Sequence, residues 1–165
     1  MSGNSQRSRR RSSDSRDVRI AAVGDVHYDG QRPGALVEIF TAANQEADIL
    51  VLCGDLTTHG TAQQMQGFVE ELAGVDIPIV AVLGNHDHQA GEVDACIEVL
   101  RDRKVNVLDG DNVVIDGIGF CGTKGFCGGF GRGALAPFGE SEIKAFVQVS
   151  LDEAIKLENA LRSLN

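Results

Sequence analysis

Ile77-Pro78-Ile79-Val80-Ala81-Val82-Leu83-Gly84-Asn85-His86-Asp87-His88 is an apolar run that stops at a glycine and passes at once into polar side chains able to ligate a metal. An apolar run of this length, bounded by a turn residue, reads as a buried strand. The same phrase recurs toward the N-terminus. Asp48-Ile49-Leu50-Val51-Leu52-Cys53 stops at Gly54-Asp55, and Val18-Arg19-Ile20-Ala21-Ala22-Val23 stops at Gly24-Asp25-Val26-His27. Helix-periodic segments separate the strands. Residues 33–46 carry Leu36, Val37, Ile39 and Phe40 on one face, with Pro33 in the first turn, and residues 61–73 carry Met65, Phe68, Val69 and Leu72. A third helix over 91–103 presents Val93, Cys96, Ile97 and Leu100, ahead of a short strand at 105–108. Strand and helix alternating at this spacing mean βαβ units and a mostly parallel sheet. Strands apolar on both faces require a covering layer on each side.

Beyond residue 110 the pattern changes. Residues 112–116 and 118–121 flank Asp116-Gly117, the signature of a tight hairpin. Residues 122–133 hold six glycines, at 122, 125, 128, 129, 131 and 133, and read as a loop that serves either as a connector or as a lid. Residues 140–164 form an amphipathic helix through Ile143, Phe146, Val147, Leu151, Ala154, Leu157, Leu161 and Leu164, expected to pack against the core with part of its apolar face left exposed.

Composition narrows the function classes. A length of 165 residues fits one domain, and 42% apolar content supports a core. Residues 1–19 hold six Arg against two Asp, a balance of +4, so the remainder carries −13 of a net −9. A body this acidic repels phosphate backbones, and no stable nucleic-acid binding is expected. No apolar run is long enough to span a bilayer. The Arg/Ser-rich stretch 1–18 lacks the apolar segment of a secretory signal and reads as a disordered tail, with residues 19–165 as the folded part. Cys53 and Cys96 fall in apolar patterns and read as small buried hydrophobes. Cys121 and Cys127 have no histidine after them, which argues against a zinc site. Reduced thiols in a cytoplasm are the expectation.

The chemistry concentrates at the strand ends. In a parallel sheet the carboxyl ends of the strands share one edge, so residues about thirty apart in sequence converge there. Carboxylates and imidazoles suit Mn, Fe or Zn. Asp25 and His27 can face one ion, Asp55 has two oxygens and can bridge two, and Asn85 adds a neutral oxygen. A doubly wound nucleotide-binding module would want Gly-x-Gly-x-x-Gly after the first strand, and Gly24-Asp25-Val26-His27 is not that.

Asp25-x-His27, then Gly54-Asp55, then Gly84-Asn85-His86-Asp87 resembles the signature of calcineurin-like metallophosphoesterases in order, spacing and position. The resemblance covers residues 19–90 closely and 117–164 more loosely. It implies an α/β fold, an αββα sandwich whose first sheet is mostly parallel. It further implies two divalent metal ions. Asp25 and His27 would bind the first, Asp55 would bridge both, and Asn85 would bind the second. His86 would face the substrate phosphate, Asp87 would orient His86, and water activated by the cations would attack phosphorus in line. The substrate would be a small-molecule or protein phosphoester.

The family also uses histidines from a later half of its domain, whereas the histidines here stand at 27, 59, 86 and 88. The chain therefore reads as the N-terminal portion of such a domain, a partial sandwich with weak or single-metal binding and impaired turnover. The competing reading is a non-catalytic metal-binding or scaffold fragment. His59 and His88 are assigned to loops, with His88 as a candidate lining residue.

Overall fold

The structure, a computed structural model, describes residues 17–126, 129 and 131–164. The expected tail therefore lies outside the described residues up to residue 16, as does Cys127. Strands β1 (Ile20–Val23), β2 (Ile49–Cys53), β3 (Ile79–Val82) and β4 (Asn106–Val107) form one parallel sheet in chain order. Ala22 pairs with Val51, and Val51 with Val80, so the first three strands run level and their ends stand side by side.

Alternation along each strand divides the apolar side chains between two faces. Leu50, Leu52, Ile79 and Ala81 point toward α1 (Val37–Glu46), α2 (Ala62–Glu71) and α3 (Val93–Asp102), packing with Phe40, Met65, Phe68 and Leu100. Burial of each of the Leu, Ile, Phe and Met side chains contributes about 1.5–3 kcal/mol. Ile49 and Val80 point the other way, against Val113, Ile115 and Phe120 of the antiparallel hairpin β5 (Asp111–Ile115) and β6 (Ile118–Gly122). Helix α4 (Ser141–Arg162) closes the far side of the hairpin, where the Asn112 side chain donates to Ser163 Oγ at 2.6 Å. The layer order is thus helices, parallel sheet, hairpin, helix: the αββα sandwich in short form. The hairpin turn is made by Asp116 (φ 51°) and Gly117 (φ 80°), the pair of positive φ angles that a type I′ turn requires.

Three local expectations need correction. Helix α1 starts at Val37 rather than at Pro33. The buried Glu71 carboxylate takes the N–H groups of Gly34 and Leu36 at 2.5 and 2.9 Å, and these interactions hold residues 33–36 as turns. Strand β1 is not doubly buried: Ile20 is 46% exposed, because β1 is an edge strand and the hairpin packs over β3. Cys53 is exposed, since it stands on the hairpin side of the sheet at the end the hairpin leaves open, whereas Cys96 is buried as expected. Helix α4 leaves part of its apolar face exposed as expected: it buries only Glu153 and Ala160, leaving Leu151, Ile155 and Leu161 more than half or about half exposed. Among the described residues, no helix is long and apolar enough to cross a membrane.

Candidate metal centre

β1, β2 and β3 end level, so their exit loops run on together. Asp25 N donates to Gly54 O at 3.1 Å, His27 N to Asp55 O at 2.9 Å and Tyr28 N to Leu56 O at 3.0 Å. The Thr58 hydroxyl bonds His27 O at 2.8 Å. Asp55 leaves no room for a side chain at residue 84: a Cβ there would collide with its carboxylate and backbone nitrogen. Glycine is therefore the residue that lets the β2 and β3 exits close on each other.

The backbone carries a second sign of function. Five described non-glycine residues have positive φ, and three of them are Asp25 (52°), His27 (49°) and Asp55 (49°). Such conformations cost about 1–3 kcal/mol each and persist where the surroundings impose them. Here the hydrogen bonds between the exit loops supply that constraint.

The side chains converge as well. Donor atoms of His27, Asp55 and His86 lie within 4.8 Å of one another. The rings of His27 and His86 meet edge to face at 4.5 Å. Asp25 Oδ1 stands 4.0 Å from His27 Nε2, with its own side chain 86% exposed. Asn85 is exposed and shares one cleft wall with Asp55. The imidazole–carboxylate triad fits a divalent transition ion by donor type and by separation. His59 is exposed, its backbone N–H bonded to Gln64 near the start of α2, and stands outside the triad.

His86 and Asp87 are held differently from the expectation. His86 N donates to Asp55 Oδ1, and His86 Nδ1 lies 2.9 Å from Thr58 O. A carbonyl can only accept, so Nδ1 carries the proton and Nε2 is left to serve the site. Thr58, not Asp87, orients the ring. Asp87 is fully buried and accepts from Leu56 N, Thr57 N, Thr57 Oγ1 and Gly84 N at 2.8–3.1 Å. Its carboxylate is a clamp between the β2 and β3 exit loops, acting on His86 through the backbone.

The sequence marked the glycine-rich stretch as a connector or a lid but singled out none of the side chains on the opposite side of the cleft as part of a site. The cleft, of about 780 Å³, is bordered by Asp55, Asn85 and His88 on one side and by Lys124, Phe126, Phe146 and Val149 on the other. Lys124 was marked only by being the one lysine of a glycine-rich stretch. Burial, then the nearby Lys124 ammonium, holds the His88 imidazole below its ordinary pKa.

No curated protein matches the sequence closely. The calcineurin-like phosphoesterase model matches residues 18–150, a span that takes in the whole sheet, the hairpin and the first half of α4. Level parallel strands, the polar side chains gathered at their ends and that match together place the chain in the calcineurin-like phosphoesterase family, a family of phosphoester hydrolases that bind divalent metals.

Proposed function

We propose that the chain is built for hydrolysis of a phosphomonoester or phosphodiester by a pair of divalent cations, Mn, Fe or Zn, held at the ends of β1, β2 and β3, with turnover by this chain alone impaired because its histidines stand only at 27, 59, 86 and 88. The observation that carries the reading is the convergence of His27, Asp55 and His86 within 4.8 Å on three neighbouring strand ends. His27 and Asp55 would hold the first cation, with Asp25 joining from 4.0 Å, and Asp55 and Asn85 would serve the second. Cations bound there supply Lewis acidity toward a phosphoryl oxygen and lower the pKa of water. His86 offers Nε2 to the phosphoryl group, where it can stabilise charge or pass a proton to the leaving oxygen. Thr58 keeps that nitrogen presented, and Asp87 keeps the loops that carry it together.

Asp55→Asn tests the assignment without removing the oxygen that accepts from His86 N. The expected result is an unchanged circular-dichroism spectrum, Mn(II) binding weakened at least tenfold by electron paramagnetic resonance, and loss of turnover of a chromogenic phosphoester. Retained Mn(II) binding and turnover in Asp55→Asn refute the ligand assignment. Tight Mn(II) binding by the unaltered chain with no turnover favours the non-catalytic metal-binding alternative.

A further inference from the structure

The far wall of the cleft is chemically distinct from the strand ends. Phe126 and Phe146 meet edge to face, centroids 5.0 Å apart at 73°, and both border the space that Asp55 and Asn85 border. Phe146 is 44% exposed, a large aromatic surface turned to solvent beside the metal-ligating side chains. The Lys124 ammonium lies 5.3 Å from the centre of the Phe126 ring and also faces the cleft.

This wall is built, not incidental. The Thr123 hydroxyl bonds the Glu153 carboxylate, and Lys124 Nζ pairs with the same carboxylate at 3.4 Å. The Ser150 hydroxyl donates to Phe126 O at 3.2 Å. Glu153 is nearly buried and is also paired with Lys156 at 3.0 Å. The segment 123–126 is thereby tied to α4 at three points, so the aromatic pair is in place before any ligand arrives.

We infer that the cleft selects phosphoesters whose leaving group carries a planar aromatic ring, seated against Phe126 and Phe146 while the phosphoryl group lies at the strand ends. Aromatic rings favour edge-to-face and offset contacts with other rings beyond what their apolar area alone contributes. A cleft of about 780 Å³ has the size of a site for a small organic ligand. The inference rests on the phosphoesterase reading above and adds to it the identity of the leaving group. A simple aryl group and a nucleobase share this chemistry.

Non-hydrolysable ligands separate the two readings. With Mn(II) binding first established by electron paramagnetic resonance, calorimetry compares phenylphosphonate with methylphosphonate, and a nucleoside 5′-phosphonate with the same ribose phosphonate lacking the base. The expected result is about tenfold tighter binding of the ring-bearing member of at least one pair, equivalent to about 1.4 kcal/mol. The pair that shows the preference tells an aryl group from a nucleobase. Phe146→Ala should abolish the preference while leaving Mn(II) and methylphosphonate affinity unchanged, and Phe126→Leu should reduce it in the same way. Equal binding within both pairs, or a preference that survives Phe146→Ala and Phe126→Leu, overturns the inference and leaves the metal centre standing. Absence of Mn(II) binding removes the phosphoesterase reading and this inference with it.

Discussion

Replacing Asp87 by Asn probes the clamp that holds the centre together. Four donors converge on the two oxygens of this buried carboxylate: Thr57 N and Thr57 Oγ1 on Oδ1, Leu56 N and Gly84 N on Oδ2. An amide can keep only one oxygen. The less costly orientation turns its NH2 toward Thr57, whose hydroxyl can swing round to accept, while the Thr57 N–H loses its partner. A lost bond to a charged acceptor costs about 1.5–3 kcal/mol, and the unpaired N–H remains buried. The bonds from Leu56 and Gly84 survive but lose charge assistance, which weakens each by about half. The sum is about 3–6 kcal/mol, a large share of a stability of about 5–15 kcal/mol. Urea unfolding followed at 222 nm measures it directly. Because Asp87 joins the two exit loops, Mn(II) affinity should fall alongside stability, although Asp87 itself is no ligand. A loss of less than about 1 kcal/mol would refute the clamp, since that is the worth of one ordinary hydrogen bond. A full loss of stability with Mn(II) affinity intact would refute its link to the site.

Two further outcomes follow from the geometry. Gly84→Ala drives a methyl group into the Asp55 carboxylate and backbone nitrogen; it should cost about 1–3 kcal/mol by overpacking and weaken Mn(II) binding at least tenfold, read by thermal melting and electron paramagnetic resonance. Wild-type metal affinity in that variant would show that the two loops are not in close contact. Burial pushes the Glu153 carboxyl up, but the Thr123 hydroxyl and the Lys156 and Lys124 ammonium groups outweigh it and hold it below its ordinary 4.5. A depressed carboxyl contributes stability that is complete above its unfolded pKa and fades as pH falls through the folded one. Glu153→Gln should therefore lower the urea midpoint more at pH 7 than at pH 3; an equal effect at both values would place the contribution in packing rather than charge.

The parallel sheet was legible because its cause is local. Apolar runs ending at Gly24, Gly54 and Gly84 specify strands wherever they fold, and helix-periodic segments between them leave the chain little choice but βαβ units. Level strand ends then bring Asp25, His27, Asp55, Asn85 and His86 to one edge, and the hairpin turn follows from Asp116-Gly117 alone. What spacing cannot carry is which hydrogen-bond partner a side chain meets across the fold. Asp87 stands next to His86 in sequence, yet its carboxylate turns inward to donors on the β2 exit, and the ring is fixed instead by Thr58, twenty-eight residues away. The start of α1 depends on Glu71, which is thirty-seven residues from Gly34 and carries no mark of that role in the sequence. The aromatic wall depends on α4 reaching the cleft through Glu153 and Ser150. Element type is set by interactions within a turn or two of chain. Side-chain partnerships are set by which surfaces the packed layers bring face to face, and only the folded molecule decides that.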